Sequence, residues 1–205
     1  MGPSDGLKKH APRQGRKWFA MRSVEETVRR AQNGDAAAFG ELIAQFERIA
    51  LAVAYGVLGD GDRAGETVQE AFARAWQRLA DLREPERFGA WLCGIVRNLA
   101  RDAQRRAVRE ARARASVPVA IYASSADDPA IRMEEHENGR RLAAALDKLD
   151  ELSRTAVVLR YYEGMTSKQI GLLLELAPAA IDTRLMRARQ ALRRELTDDE
   201  PPPES

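Results

Sequence analysis

Apolar residues return every three or four positions along most of the chain, the spacing that gathers them on one face of an α-helix. The clearest of these stripes lie within residues 39–53, 68–79, 88–99, 142–162 and 170–192. No segment alternates Val, Ile, Thr or Tyr with polar residues, as a half-buried strand would. Ala, Leu, Arg and Glu dominate the composition, and these residues favour helices. The pattern predicts an all-α protein.

Turn-forming residues divide the stripes into separate helices. Ser23 with Glu26 has the spacing of a capping box, which predicts that the first helix begins near Ser23. Later breaks are predicted at Gly34-Asp35, at Gly56, at the Gly59-Asp60-Gly61-Asp62 run and at Pro85. A short helix and three longer ones are therefore expected in the first half of the chain.

The periodic pattern is lost between about residues 107 and 136, where Ser, Asp and Pro interrupt it. A stretch of about 30 such residues is too long for a loop inside a compact domain. We therefore predict two small helical domains, at 23–106 and 137–197, joined by a flexible linker at 107–136. A basic disordered arm is predicted at 1–22, and an acidic, proline-containing tail at 198–205.

The last two predicted helices form the clearest local motif. Thr166 with Gln169 is a second capping box, and Pro178 suits the first turn of the helix that follows. The apolar face of that helix consists of Ile181, Leu185, Ala188 and Leu192. Its polar face consists of Asp182, Thr183, Met186, Arg187, Gln190 and Arg194. This arrangement is typical of a helix-turn-helix, whose second helix enters the major groove of duplex DNA.

The net charge of +2 conceals an uneven distribution. Six Lys or Arg residues lie in the first 22 positions, six Arg in residues 101–114 and five Arg in residues 182–194. Such clusters favour a polyanionic partner, and the alternative for each of them is a solvated helix face.

Composition argues against several other classes of protein. Cys93 is the single cysteine, so no intramolecular disulfide forms, which suits a reducing cytoplasm. Its apolar neighbours predict a buried structural thiol. His10 and His136 lie far apart without partners at ligand spacing, so no metal site is expected. No apolar run approaches the roughly 18 residues of a membrane span, so no membrane insertion is expected.

Four sequence motifs follow one another along the chain. They are Asn33-Gly34-Asp35-Ala36-Ala37-Ala38-Phe39, Glu66-Thr67-Val68-Gln69-Glu70-Ala71-Phe72, Phe88-Gly89-Ala90-Trp91-Leu92-Cys93-Gly94-Ile95-Val96-Arg97-Asn98 and Arg184-Leu185-Met186-Arg187-Ala188-Arg189-Gln190-Ala191-Leu192. In this order, and across residues 24–197, the chain resembles the extracytoplasmic-function (ECF) group of bacterial RNA polymerase sigma factors. Each motif alone is moderately specific, whereas four in the correct order are strongly specific.

The resemblance implies a role for each motif. The first domain would be sigma region 2 and would bind the clamp of core RNA polymerase through Glu66, Gln69, Glu70 and Phe72. It would melt and hold the single-stranded minus-ten promoter element through Arg97, Asn98, Arg101, Arg105 and Arg106, with Asn98 at a flipped base. The second domain would be sigma region 4 and would read the duplex minus-thirty-five element through Asp182, Thr183, Arg184, Met186, Arg187 and Arg189.

The resemblance also implies that the chain is not an enzyme and needs no cofactor, because polymerase supplies the catalysis. The linker would pass through the interior of polymerase, and an anti-sigma factor or another regulator would control the protein.

The chain departs from the family pattern at three places. The acidic run that usually precedes the Gln-Glu pair is reduced here to Glu66, with Arg63 opposing it. Phosphorylation of Thr67 would restore about −1.5 to −2 charges, so Thr67 is a candidate regulatory site. In the helix-turn-helix, Gln169-Ile170-Gly171 replaces the usual opening, and Asp182 stands where a basic residue is usual. Promoter sequence therefore cannot be transferred from relatives.

Two other functions fit parts of the pattern. A helix-turn-helix regulator acting without polymerase would account for residues 166–194 but would leave the segment from Trp91 to Arg106 without a role. A helical adaptor that does not bind DNA would show no salt-dependent affinity for DNA, whereas phosphate contacts require one.

Overall fold

The computed structural model describes residues 21–114 and 132–197, and within these ranges the regular structure is helical. The helices are α1 (Met21–Gln32), α2 (Ala36–Leu58), α3 (Gly61–Arg78), α4 (Phe88–Arg114), α5 (Arg132–Asp147), α6 (Glu151–Tyr161), α7 (Ser167–Leu174) and α8 (Pro178–Thr197). Two short 3-10 turns, Leu79–Asp81 and Pro85–Arg87, connect α3 to α4. The all-α prediction is confirmed. Most of the predicted arm and linker, and the predicted tail, lie outside the described residues.

Helices α1 to α4, which we call the first half, pack around α2. Asp35 caps the start of α2 by accepting a hydrogen bond from the Ala38 amide at 3.0 Å, and Gly59 ends the helix in the left-handed region at φ 67°. Between these ends α2 buries Leu42, Phe46 and Ile49, among other apolar residues. The predicted breaks at Gly34-Asp35 and at the Gly59 run are therefore confirmed.

Helices α5 to α8, which we call the second half, form the predicted helix-turn-helix and its support. Thr166 and Gln169 make the predicted capping box, and α8 begins at Pro178. Ile170 and Ile181 are fully buried where α7 and α8 meet. Tyr162 was expected in an apolar stripe but is 69% exposed, because α6 ends at Tyr161 and Tyr162 follows it as the C-cap.

Three predicted boundaries differ from those observed. Ser23 lies inside α1, which already begins at Met21, so it is not the cap of that helix. The predicted linker is helical at both ends, because α4 continues to Arg114 and α5 begins at Arg132. Gly56 was predicted to end a helix but lies buried within α2. Its lack of a side chain serves a close packing contact instead.

That contact joins the two halves of the molecule, which pack together instead of lying apart. Helix α2 packs on α6, and α4 packs on α7. A Cβ atom at Gly56 would lie 1.9 Å from Oγ1 of Thr155 on α6, and one at Gly89 would lie 2.9 Å from a methyl carbon of Leu173 on α7. Buried residues of both halves form one hydrophobic cluster. We call the surface along which the halves meet the seam.

Cys93 is buried in the first half, as predicted. Burial raises the pKa of its thiol to about 12, so the unreactive protonated form predominates at neutral pH. No helix in the described ranges is both long and apolar enough to cross a membrane.

The capping box of α7 yields a test of the helix-turn-helix. Thr166→Ala removes the hydroxyl that accepts a hydrogen bond from the Gln169 amide. We expect the free energy of unfolding to fall by about 1 kcal/mol, measured by urea denaturation. Thr166→Ser keeps the hydroxyl and should remain close to the unmodified protein. Equal losses in both variants would contradict a capping role for Thr166.

Candidate nucleic-acid interface

Helix α4 presents the polar side chains predicted to hold single-stranded DNA. Asn98, Arg101, Arg105 and Arg106 are exposed, and Arg97 is half-buried. The opposite face of α4 is anchored by Phe88, Leu92 and Val96, each of which is fully buried. The apolar spacing that packs the helix therefore also fixes which side chains face outward.

Asn98 lies in a cleft of about 470 Å³ beside α4. The cleft is also lined by Trp91, by Arg78 at the end of α3, and by Arg83 and Arg87 from the segment that links α3 to α4. An amide can read the edge of an unstacked base, an aromatic ring can stack on it, and arginines can hold the phosphates. We call this space the Asn98 cleft.

The Asn98 cleft includes three arginines that sequence reasoning missed. Arg83 and Arg87 lie in a segment without helical periodicity, and Arg78 is a polar position near the end of the 68–79 stripe, so the apolar stripes give no reason to choose them. The signal that could have identified Arg83 and Arg87 is the run of charged residues directly before the Phe88 motif.

Carboxylates of the second half form ion pairs with two of the arginines around this surface. Arg101 makes a two-pronged ion pair with Glu151 of α6, with both nitrogen–oxygen distances at 3.0 Å. Arg87 pairs with Glu175, which also lines the cleft. Arg105 pairs with Asp102 on its own helix. The Asn98 cleft is therefore present in this structure, but Glu175 pairs with one of the arginines that line it.

The second surface is the outer face of α8. Asp182, Thr183, Met186, Arg187 and Arg189 are exposed there, as predicted for a helix that enters a groove. The hydroxyl of Thr183 donates to the carbonyl of Ala179 at 2.9 Å, and the carboxylate of Asp182 accepts from the hydroxyl of Ser167. Arg189 donates through Nε to the carbonyl of Leu185.

Arg184 does not share the outward position predicted for it. It is half-buried, and its guanidinium lies 3.1 Å from the carboxylate of Asp150, the N-cap of α6. Partial burial raises the pKa of Asp150, but hydrogen bonds from Ser153 and the charge of Arg184 outweigh it and hold that pKa below its ordinary value. Arg184 therefore ties α8 to α6 in this structure.

The third surface lies on α3, which carries the predicted polymerase-binding residues. Glu66, Gln69 and Glu70 are exposed. Phe72 is only 6% exposed and meets Phe39 edge to face, so it supports the helix from the core instead of offering a side chain to a partner.

Thr67 also points inward. It is 7% exposed, and its hydroxyl donates to the carbonyl of Arg63 at 2.7 Å. A kinase needs an accessible hydroxyl, so this burial argues against the predicted phosphorylation of Thr67.

Within residues 21–114 and 132–197, no group of three or more His, Cys, Asp and Glu side chains is arranged to hold a metal ion.

Comparison with known proteins gives matches in both halves. The family model "Sigma-70 region 2" matches residues 42–110, and "Sigma-70, region 4" matches residues 139–192. The chain is similar to "Probable RNA polymerase sigma factor RfaY" of Xanthomonas campestris, with 36% identity over 162 residues. That match covers 78% of this chain but 40% of the relative, which is much longer.

Two other relatives match over almost their whole length. "ECF RNA polymerase sigma factor SigW" of Bacillus subtilis is 25% identical over 85% of this chain and 97% of its own. "RNA polymerase sigma factor CnrH" of Cupriavidus metallidurans is 32% identical over 79% of this chain and 88% of its own. The solved structure of CnrH in complex with the cytosolic domain of CnrY is similar with a TM-score of 0.61 at 29% identity, covering 87% of this chain and 99% of that one.

The contrast between Arg187 and Arg184 can be tested with duplex DNA of mixed sequence. Arg187→Ala should weaken binding at all sequences and reduce the slope of log affinity against log salt by about 1, because one phosphate contact is lost. Arg184→Ala should leave that slope unchanged and lower the free energy of unfolding by at most about 1 kcal/mol, since it removes an exposed ion pair. Fluorescence anisotropy over a salt series measures the slope. Equal slopes for Arg187→Ala and the unmodified protein would place Arg187 outside the interface.

Proposed function

Because this chain belongs to the extracytoplasmic-function group of RNA polymerase sigma factors, we propose that each of its three polar surfaces has a separate role in transcription initiation. The protein binds core RNA polymerase and recognises promoter DNA. The observation that carries the residue-level proposal is the exposed amide of Asn98 in a cleft lined by arginines. We further propose that polymerase performs the chemistry in the cytoplasm, while this chain selects and opens the promoter without a cofactor.

The first surface opens the minus-ten element. A base that leaves the stack loses a few kcal/mol of stacking and pairing energy, which new contacts must offset. In our proposal Asn98 reads the edge of that base, and Trp91 offers a ring in the same cleft. Arg101, Arg105 and Arg106 lie further along the same helix and hold the backbone of the displaced strand. Half-buried Arg97, one residue before Asn98 on the same helix, would also contact the strand.

The second surface reads the minus-thirty-five element. Arg187 and Arg189 would contact phosphates, whereas Thr183 and Met186 would face base edges in the major groove. Asp182 would favour a cytosine, whose amino group donates to a carboxylate. Its hydrogen bond with Ser167 holds the carboxylate against the start of α7. Arg184 would act indirectly, by fixing the angle of α8 through Asp150.

The third surface binds polymerase. Exposed Glu66, Gln69 and Glu70 would meet a basic surface of the clamp. Asp60 and exposed Asp62, at the start of the same helix, add negative charge where the usual acidic run is missing. Two solved structures of similar fold hold partners, the cytosolic domain of CnrY in one and the anti-sigma factor NepR in the other. We propose that an anti-sigma factor or another regulator likewise controls this chain.

A helix-turn-helix regulator acting without polymerase would use only the second half of the molecule. It would leave the match of residues 42–110 to sigma region 2, and the Asn98 cleft, without a role.

Run-off transcription tests the proposal. Core RNA polymerase with this protein, on fragmented genomic DNA of the source organism, should produce discrete transcripts that core polymerase alone does not make. Mapping their start sites should give one pair of upstream elements common to all of them. Binding to duplex DNA without any gain in transcription would favour the polymerase-independent regulator.

Asn98→Ala tests the role of the cleft on a promoter found in this way. Losing one contact to a base edge should cost about 1–3 kcal/mol of promoter opening while affinity for core polymerase stays unchanged. Permanganate reactivity of minus-ten thymines measures the opening. Asn33→Ala, which removes an exposed amide from the turn between α1 and α2, is the matched control and should open the element normally. Equal reactivity in both variants would remove Asn98 from the proposed site.

A further inference from the structure

The floor of the Asn98 cleft is a row of small residues on α4. Ala90, Gly94 and Asn98 all line the cleft, and they follow one another at steps of four residues, which places them on one face of the helix. Ala90 has only a methyl group and Gly94 has no side chain, so Asn98 is the first residue of the row that carries a polar group. Gly94 lies about 6 Å from Asn98 along the helix axis, which leaves room for one base, since stacked bases lie about 3.4 Å apart.

The packing of the protein gives no reason for a glycine at position 94. Gly94 lies within α4 and is not among the glycines with a positive φ, so no special backbone conformation requires it. A Cβ atom there would meet nothing within 4 Å, whereas one at Gly89 of the same helix would lie 2.9 Å from carbons of Leu173 and Phe46. Alanine stabilises a helix interior more than glycine does. Gly94 therefore weakens the helix slightly and keeps the floor of the cleft open.

An aromatic ring forms one wall of this space. Trp91 precedes Gly94 by three residues, so the two are neighbours on the surface of α4. The ring centroid of Trp91 lies 6.0 Å from that of Phe88, which is fully buried and supports the indole from the core. An unstacked base can therefore lie over Gly94, with its ring against Trp91 and its edge toward the amide of Asn98.

The charges around the cleft leave one arginine for a phosphate. Arg78 pairs with Asp81 and Arg87 pairs with Glu84, each at 3.5 Å, and all four residues line the cleft. In the part of the chain that the structure describes, no ion pair engages Arg83, the remaining arginine of the lining. Its guanidinium can bind a phosphate without first leaving a carboxylate. A ring, an amide and a cation thus surround the open position on α4.

We propose that Gly94 provides the space for the ring of the flipped base, and that it thereby sets the size of base that the minus-ten surface accepts. The inference deepens the proposed function and rests on it, since Asn98 reads the same base. A side chain at position 94 fills this space while the groups that contact DNA stay in place. Purines have two rings and need more of the space than pyrimidines do. Gly94 is thus a specificity-determining residue that makes no polar contact of its own.

Gly94→Ala and Gly94→Leu test this in the full chain bound to core RNA polymerase. Both variants should resist urea at least as well as the unmodified protein, because alanine and leucine favour a helix more than glycine does. Affinity for a single-stranded oligonucleotide with the mapped minus-ten sequence, measured by fluorescence anisotropy, should fall about threefold to tenfold for Gly94→Ala. It should fall more than about tenfold for Gly94→Leu, as in a pocket narrowed by more than one carbon.

Gly40→Ala and Gly40→Leu are the matched controls. Gly40 is an exposed glycine within α2, it is not part of the cleft lining, and a Cβ there meets nothing within 4 Å. These variants should gain helix stability in the same way and bind the oligonucleotide normally. A loss of affinity confined to position 94 then comes from the cleft and not from a stiffer helix.

Abasic nucleotides locate the base that residue 94 meets. The oligonucleotide is made with an abasic site at each position in turn, and each version is bound to the unmodified protein, to Gly94→Leu and to Asn98→Ala. At one position, loss of the base should bring Gly94→Leu within about twofold of the unmodified protein, because the leucine then has no ring to exclude. The same position should remove the effect of Asn98→Ala. With a base restored there, Gly94→Leu should weaken the binding of purines more than that of pyrimidines.

Three results would overturn the role of Gly94. Unchanged affinity in Gly94→Leu would mean that nothing enters the space at this position. A loss that persists with every abasic oligonucleotide would mean that the leucine acts on the helix and not on a base. An equal loss for purines and pyrimidines would contradict selection by size. If Asn98→Ala also has no effect with any oligonucleotide, the proposed function of the cleft is wrong, whereas a positional effect of Asn98→Ala alone refutes only the role of Gly94.

Discussion

Helix α2 carries apolar residues around most of its circumference, and such a helix is stable only when other elements cover its apolar residues. Helices α1, α3 and α4 of the first half pack on α2, and α6 of the second half packs on it as well. Gly56 makes this last contact possible, because a larger residue there would collide with Thr155. The surfaces proposed for polymerase and for the minus-ten strand lie on α3 and α4, so their geometry depends on how α2 is covered. Separation of the halves would expose apolar surface of α2 to water, which favours their contact along the seam.

Local signals in the sequence predicted the local structure well. The capping box at Thr166 and the start of α8 at Pro178 depend on neighbouring residues, and both are confirmed. Gly56 was misread because a glycine that allows close packing looks, in the sequence, like one that ends a helix. Tyr162 was misplaced because periodicity does not show where α6 stops. The contact of the two halves joins residues about one hundred positions apart, such as Gly56 and Thr155, and no periodic pattern contains that information.

The candidate site was predictable to the same extent. Asn98 and Arg101 stand on a regular helix, so their outward direction followed from the apolar stripe behind them. Arg184 was assigned to DNA contact by the family resemblance and not by spacing, and in the structure it pairs with Asp150 at the start of α6. Arg87 and Glu175 lie in turns, where the direction of a side chain depends on tertiary packing. Arg87, which sequence reasoning missed, thus has a partner that is distant in the chain.

The ion pairs that Arg87 and Arg101 form across the seam bear on how the protein is distributed in a cell. A genome offers about 10⁶–10⁹ non-specific sites, and exposed arginines bind all of them through phosphates. When Arg87 and Arg101 are neutralised by Glu175 and Glu151, the free chain presents fewer cations to this excess of DNA. A larger fraction of the molecules then diffuses freely and can be captured by polymerase. Internal charge pairing therefore reduces the competition between bulk DNA and polymerase for the same protein.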